Sequence, residues 1–286
     1  MPRHIVCLSF DFDTMSGFIA RGLTTPTALS RGEFGARAST RILALLQSRG
    51  IRSTWFTPGF TIETYPGECE AVVKAGHEIA HHSYFHENTI GMDEQTEAAM
   101  LDLGLRALRD TAGVRPTGYR APMWEMNYHT PRLLAERGFE YDSSLMDSDH
   151  PYLLAVDETP DAGTLVEVPV SWGLDDWEQY AYLPDLTGPG VIESPAKALE
   201  MWTLELQAMH RLGAAFVLCC HPFLSGRPSR AVALERLIER MKSLDGLWIT
   251  TVGAVAEHTE SLKLAPRTCP RPVLPADAYW VTRPPD

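Results

Sequence analysis

Short apolar segments alternate with longer helical patterns along most of the chain. IVCLSF precedes a predicted helix near Ala36 to Ser48, STWFTP precedes one near Glu63 to Lys74, and HEIAHH precedes one from about Asp93 to Thr111. This alternation predicts β-α units and a mainly parallel sheet. It continues through TGYRAP, a helix from about Thr130 to Arg137, YDSSLM, LVEVPV, a helix near Ala196 to Leu212, AAFVLCC, a helix from about Arg230 to Lys242, and LWITTV.

Seven or eight such strands with six helices are typical of an α/β fold of the closed or distorted (β/α) barrel type. An open, doubly wound sheet is the second interpretation. A chain of 286 residues with 44% hydrophobic residues is large enough for one such barrel. We therefore expect a single barrel domain over residues 1–263.

Three parts of the sequence lack this periodicity. The stretches from Gly17 to Phe34 and from Asp149 to Leu165 are predicted loops. Loops of this length often shape a binding site, although plain surface insertions are about as common. Residues 264–286, which include Trp280, are Pro-rich and predict an extended C-terminal arm without a core of its own.

Composition excludes several classes of protein. The net charge of -12 and the absence of a basic block argue against a nucleic-acid partner. No GxGxxG or P-loop sequence follows the first strand, so nucleotide binding has no support. MPRHIVCLSFDFD lacks the apolar core of a secretory signal, and no apolar run reaches membrane-spanning length. These features predict a cytoplasmic protein without a membrane partner.

The cysteines suggest a reducing environment and no thiol chemistry. The chain has five cysteines, an odd number, and none is spaced as CxxC. Adjacent Cys219 and Cys220 could be proposed as nucleophiles, but within the apolar run FVLCC they are expected to be small buried strand residues.

Polar residues capable of chemistry follow the predicted strands, whose ends meet at one mouth of a barrel. The first strand ends in DFD, and strand alternation directs Asp11 and Asp13 to the same face. Two neighbouring carboxylates repel each other unless a cation or a shared proton relieves the repulsion. A bound metal is the simplest relief, although an isolated DxD also fits a solvated loop or a helix cap.

The segment HHSYFHEN supplies a spaced histidine pair. His82 and His86 can face one cation, and together with Asp13 they form a set of two imidazoles and one carboxylate. Such a set leaves coordination positions open, as catalytic metal sites do. His81 is a further possible ligand, but alternation with His82 predicts that it points to the opposite face.

Two further strand ends carry ionisable residues. GYRAPMWE places Arg120 at one strand end, and LCCHP places His221 at another. A buried arginine beside the carboxylates would orient one of them and lower its pKa, and a histidine at the mouth could transfer a proton. A surface salt bridge and a strand cap are the structural alternatives. Candidate substrate-binding residues come from MWE and SWGLDDW, although the second could instead be an acidic turn with aromatic packing: Trp124, Glu125, Asp175, Asp176 and Trp177.

The sequence resembles the polysaccharide deacetylase family. DFD, HSYFH (a form of H-[ST]-x-x-x-H), RAP and LCCHP occur in the family's order from Phe10 to Pro222. The resemblance implies a distorted (β/α) barrel with about seven strands. It also implies these roles: Asp11 as catalytic base, Asp13, His82 and His86 as ligands of a divalent metal, most simply Zn²⁺, Arg120 as the residue that orients the base, and His221 as general acid.

Several segments depart from the usual family pattern. Phe12 separates the two aspartates that are commonly adjacent, and Thr14 stands where Gly-Pro usually follows. With SRGEFGA, WFTPG, HEN and LDDW, this variant resembles a sub-branch of cytoplasmic deacetylase-like proteins, cyclic imide hydrolases and allantoinase-like enzymes, which are often homotetramers.

The expected function is metal-dependent hydrolysis of a non-peptide C–N bond in a small amide, ureide or cyclic imide. An N-acetyl sugar or a peptidoglycan fragment is the alternative substrate. A noncatalytic sugar- or metal-binding barrel is the alternative of another class.

Overall fold

The computed structural model describes residues 4–158, 163–183, 192–271 and 273. Nine strands lie within these ranges, compared with the seven or eight predicted. The additional strand, Tyr152–Ala155, lies in a segment predicted as a loop. The strands are β1 (His4–Asp11), β2 (Thr54–Thr57), β3 (Glu78–His81), β4 (Gly118–Tyr119), β5 (Tyr141–Asp142), β6 (Tyr152–Ala155), β7 (Thr164–Glu167), β8 (Phe216–Cys220) and β9 (Leu247–Thr250).

One curved sheet contains all of these strands, in the order β6-β7-β5-β4-β3-β2-β1-β8, with β9 also paired to β1. Every pairing is parallel except that of β6 with β7. The carboxyl ends of the parallel strands therefore lie at one end of the sheet. The predicted distorted (β/α) barrel is confirmed.

Helices cover the outer face of the sheet. On β1, Val6, Leu8 and Phe10 pack into the main apolar cluster between sheet and helices. Alternate residues of the same strand face inward, and there Ser9 and Asp11 contact Arg120. The helices are α1 (Ser16–Ile19), α2 (Pro26–Arg49), α3 (Gly59–Thr64), α4 (Pro66–Lys74), α5 (Glu94–Ala112), α6 (Thr130–Glu136), α7 (Trp177–Tyr180), α8 (Pro195–Leu212), α9 (Pro222–Ser225), α10 (Pro228–Lys242) and α11 (Val252–Ser261).

The prediction of a loop from Gly17 to Phe34 is wrong for much of that stretch. Helix α2 begins at Pro26, ten residues before the predicted start. The Thr25 side chain accepts a hydrogen bond from the Ala28 amide, and proline is favourable in the first helical turn. These capping residues can be recognised in the sequence, but the amphipathic pattern that follows them is too weak to predict a helix.

The predicted loop from Asp149 to Leu165 also contains regular structure. Strand β6 lies within it and pairs antiparallel with β7 at the edge of the sheet. Beside β6, the described part of the predicted C-terminal arm runs along the sheet: the Arg267 amide donates to the Leu153 carbonyl at 2.8 Å. Residue 272 and residues 274–286, including Trp280, lie outside the described residues.

None of the described helices is both long enough and apolar enough to cross a membrane.

Candidate active site

The three predicted metal ligands lie together at the carboxyl ends of β1 and β3. His82 Nε2 is 3.5 Å from Asp13 Oδ1, and His86 Nε2 is 3.4 Å from Asp13 Oδ2. One potential ligand atom from each residue lies within 4.8 Å of those of the other two, and all three side chains are buried. The cluster therefore has the size and the donor set of a site for one divalent cation.

The hydrogen bonds of the cluster also fit a cation. His82 Nδ1 lies 2.7 Å from the Arg120 carbonyl oxygen. A carbonyl oxygen only accepts, so Nδ1 carries the proton and the Nε2 lone pair points toward Asp13. His82 Nε2 and Asp13 Oδ1 are buried without a hydrogen-bond partner. Buried polar atoms are usually satisfied, and a cation between these two would satisfy both.

The loop that carries the histidines is held by an acid that sequence reasoning did not single out. Glu87 accepts hydrogen bonds from the Phe85 amide at 2.7 Å, the Tyr84 amide at 3.1 Å and the Ser83 hydroxyl. Ser83 and His86 have positive φ angles of 59° and 63°. Such conformations are costly for residues other than glycine and are concentrated at functional sites. Glu87 directly follows HSYFH in the sequence. Its hydrogen bonds form only because the backbone turns here, so they could not be predicted from the sequence.

Asp11 is paired with Arg120, which is fully buried. Arg120 Nη1 donates to Asp11 Oδ1 at 2.7 Å and to Ser9 Oγ at 3.0 Å, while its Nε donates to the Ser143 carbonyl. Burial alone would raise the pKa of Asp11, but the charge of Arg120, the charge of His221 and the hydrogen bond from Arg120 outweigh it and lower the pKa to about 2. Asp11 is therefore held as a carboxylate next to the metal cluster.

His221 follows β8 and faces the same cluster. Its Nδ1 lies 2.7 Å from Asp176 Oδ1, and its Nε2 lies 3.9 Å from Asp13 Oδ2. Burial alone would lower the pKa of His221, but the hydrogen bond to Asp176 and the charges of Asp175, Asp176 and Asp13 raise it to about 10. Burial raises the pKa of the neighbouring Asp175 to about 7, although the charge of His221 opposes this shift. His221 is therefore a protonated imidazole at neutral pH.

These groups open into a cavity of about 190 Å³. Glu125 and Asp176, two of the predicted substrate-binding residues, do not line it. Glu125 is exposed, and Asp176 lies behind His221, where it also accepts a hydrogen bond from the Ser225 hydroxyl. The predicted residues that do line the cavity are Asp11, Asp13, His86, Trp124, Asp175, Trp177 and His221, together with Trp172 of the predicted segment SWGLDDW. Arg21, Met123 and Glu178 also line it and were not predicted.

Comparison with known proteins identifies the family. Residues 5–141 match the family model described as polysaccharide deacetylase. The chain is 32% identical to the peptidoglycan deacetylase of Helicobacter pylori, over 92% of this chain and 98% of that protein. The chain belongs to the polysaccharide deacetylase family.

Solved structures of polysaccharide deacetylases and related proteins share the fold. A candidate polysaccharide deacetylase from Mycobacterium smegmatis is 48% identical with a TM-score of 0.89, and the match covers 96% of both chains. Puue allantoinase has a TM-score of 0.75 over 91% of this chain and 90% of its own, and at 24% identity this similarity shows the fold alone. The family resemblance predicted from the sequence motifs is confirmed.

In this member of the polysaccharide deacetylase family, His81 lies outside the cluster of candidate metal ligands. Its Nε2 is 3.2 Å from the Leu101 carbonyl oxygen, and its ring packs near Tyr119 and Phe139. A Cβ atom at Gly104 would lie 2.3 Å from His81 Nε2, so helix α5 can approach β3 here only because residue 104 is glycine. Strand alternation thus sends His81 outward and His82 inward.

The two adjacent cysteines are buried strand residues, as expected. Cys219 and Cys220 are 0% and 1% exposed, and burial raises the pKa of both thiols well above the ordinary value. Cys219 Sγ lies 3.5 Å from Arg120 Nη1 inside the barrel. Neither thiol is therefore activated as a nucleophile.

Proposed function

We propose that this protein is a metal-dependent hydrolase of non-peptide C–N bonds that acts on a small amide, ureide or cyclic imide. One observation carries the proposal: a cation-binding cluster, an ionised carboxylate and a protonated imidazole face the same cavity. Metal-assisted hydrolysis of an amide or imide uses these three groups: a cation that activates water, a base and an acid. Binding alone needs no proton donor, so a noncatalytic barrel does not account for His221.

Each group has a distinct role in this proposal. Asp13, His82 and His86 would hold the cation, with Zn²⁺ as the expected ion. Such an ion, when bound, lowers the pKa of water to about 7 and polarises a carbonyl oxygen. Asp11, oriented and kept ionised by Arg120, would accept the proton of the attacking water. His221 would donate a proton to the departing nitrogen.

The cavity favours a small substrate. Its volume of about 190 Å³ is below the roughly 300–1,000 Å³ typical of sites for drug-sized ligands. Trp124 and Trp172 pack with their ring centroids 4.9 Å apart on one wall, and Trp177 forms another. Flat apolar walls suit a planar amide or imide ring. By resemblance to the same sub-branch, we also propose a cytoplasmic homotetramer.

Deacetylation of an N-acetyl sugar or a peptidoglycan fragment is the second candidate. The relative from Helicobacter pylori is named a peptidoglycan deacetylase and aligns over nearly its whole length. The same base and acid would serve this reaction, with acetate as the released product. The two candidates therefore differ in what the walls of the cavity accept.

A substrate panel separates these candidates. The purified protein, with its metal content measured, would be incubated with succinimide, hydantoin, allantoin and chitooligosaccharides. We expect ring opening of one or more of the small compounds. Acetate release from the glycans alone would replace our proposal with the second candidate, and binding without any product would indicate a noncatalytic barrel.

Two variants test the roles of the residues. Asp13→Ala should lose bound metal and turnover together, because one of three ligands is removed. His221→Ala should keep the metal but lose turnover by about 10²-fold or more. His150→Ala removes an exposed histidine and serves as the control. Full activity in either of the first two variants contradicts the assignment.

A further inference from the structure

Arg21 is a cation in the catalytic cavity that the proposed reaction does not use. It follows helix α1, and its side chain lines the cavity together with Asp13, Trp177 and His221. Its Nη1 donates to the Gly17 carbonyl at 2.6 Å, and its Cζ lies 5.4 Å from the Trp177 ring centroid. Among the described residues, no carboxylate forms an ion pair with it.

Four carboxylates line the cavity with Arg21, and none of them forms an ion pair with it: Asp11, Asp13, Asp175 and Glu178. The first three are committed elsewhere. Asp11 is paired with Arg120 at 2.7 Å. Asp13 contacts His82 and His86. Asp175 accepts a hydrogen bond from the Trp177 amide at 2.8 Å. The guanidinium of Arg21 is thus a half-buried charge that faces the cavity without an acid of its own.

Partial burial makes this arrangement costly. A guanidinium has five N–H donors, and one contact to a carbonyl oxygen leaves most of them for a partner. Burial lowers the pKa of Arg21, and the charge of Asp13 offsets only part of this effect. A structural arginine that served only to hold Gly17 would not need to extend into the space where a substrate binds. An anion that enters the cavity would neutralise the charge and use the free donors.

We propose that Arg21 recognises a carboxylate group on the substrate, so that the preferred substrate of the proposed hydrolase is an anionic amide, ureide or imide. This inference rests on the proposed function and narrows its substrate class. The planar guanidinium matches a carboxylate in a bidentate arrangement. Arg21 and His221 line one cavity of about 190 Å³. The carboxylate and the hydrolysed bond therefore belong to one compact molecule.

The test compares substrates that differ by one carboxylate. Dihydrouracil and dihydroorotate share a cyclic ureide ring, and only the second carries a carboxylate. N-acetylglucosamine and N-acetylmuramic acid form the corresponding pair for the glycan alternative. For each pair, kcat and KM would be measured with the metal-loaded wild type, Arg21→Gln and Arg21→Lys. Arg37→Gln, which removes the same charge from an exposed position on α2, is the matched control.

We expect the wild type to prefer the carboxylated member of at least one pair. In Arg21→Gln, the ratio of kcat/KM between the carboxylated and the neutral member should fall roughly ten- to hundredfold, mainly through KM. Arg21→Lys should restore part of the ratio, and Arg37→Gln should keep it. A merely structural role would reduce both members of a pair equally and leave the ratio unchanged.

Failure of this inference is distinguishable from failure of the proposed function. Hydrolysis of a neutral member with no preference for the carboxylate, or with a preference that Arg21→Gln retains, overturns the role of Arg21 alone. No hydrolysis of either pair, together with no hydrolysis in the wider substrate panel, overturns the proposed reaction and this inference with it.

Discussion

Two pairs of buried acids lie at the carboxyl ends of the strands, and their surroundings differ completely. Asp11 and Asp13 are surrounded by Arg120 and three imidazoles. Asp142 and Glu167, at the ends of β5 and β7, are in contact with each other, and neither forms an ion pair with a cation among the described residues. All four carboxyl groups have at most 3% exposure, so burial alone does not separate the pairs.

Neutral hydrogen-bond donors take the place of cations around the second pair. Ser144 donates its hydroxyl to Asp142 Oδ1 at 2.8 Å, and Glu167 Oε1 accepts from the Leu145 amide at 3.0 Å. Burial raises the pKa of both acids, and for Glu167 the charge of Asp142 adds to the effect. Burial therefore favours the protonated form of this pair, whereas Asp11 is held as a carboxylate. The neighbours of a buried acid, more than its depth, decide whether it can act as a base.

Arg120 is the cation that creates this difference, and its removal should have the largest effect. Arg120→Met leaves Asp11 buried without its cation, which typically costs about 3–5 kcal/mol in the free energy of unfolding. Turnover should be lost as well, because Asp11 would no longer be oriented or held ionised. Urea unfolding and steady-state kinetics would measure the two effects. Arg120→Lys, which keeps a charge, should lose less stability, and a loss below about 1 kcal/mol in Arg120→Met would contradict this account.

Asp176 extends the comparison to a buried acid whose neighbour is an imidazole. Because Asp176 helps to raise the pKa of His221 to about 10, His221 keeps its proton at neutral pH and loses it only in alkaline solution. Asp176→Asn removes the negative charge, so the pKa of His221 should fall and the alkaline limb of the kcat profile should move to lower pH. At pH 8 we expect kcat to fall by about 10²-fold. An unshifted alkaline limb, in protein that retains its metal, would exclude His221 as the acid.

In the second pair, Glu167→Gln replaces one of the two acids by an amide that does not ionise. A carboxyl whose pKa is raised by folding contributes stability at low pH, and this stability is lost as the pH rises through the folded-state pKa. Relative to the wild type, the variant should therefore gain stability between pH 5 and pH 9, by about 1 kcal/mol for each unit of pKa shift removed. Urea unfolding of the wild type and the variant at pH 5 and at pH 9 measures this gain in stability. Glu140→Gln, at an exposed site just before β5, should show no such gain.

The first pair could be predicted from the sequence and the second could not. DFD and HSYFH are local signals, because period-two alternation fixes which side chains share a face, and the resemblance then supplied their roles. Asp142 and Glu167 are 25 positions apart and meet only because β5 pairs with β7. Arg21 was missed for a related reason, since its place in the cavity depends on the turn that follows β1.

Prediction of the fold from the sequence has the same limit. The main β-α units were predicted because their strands and helices are long enough to show a period. The strand β6 was missed because an antiparallel edge strand of four residues lies inside a polar stretch. The predicted helix from Glu63 to Lys74 is two helices, α3 and α4, because Pro66 lacks the amide that would continue the first.

The smallest expected effects come from the two serines that separate the acid pairs. Ser143 accepts a hydrogen bond from Arg120 Nη2 at 3.0 Å, whereas the Ser144 hydroxyl bonds to Asp142 and accepts from the Ala121 amide at 2.9 Å. Each alanine variant should lose about 1 kcal/mol of stability, measured by urea unfolding, because buried hydrogen bonds are lost. Only Ser143→Ala should also reduce kcat, because only Ser143 contacts the residue that orients Asp11. An equal loss of kcat in Ser144→Ala would mean that the two pairs act as one network.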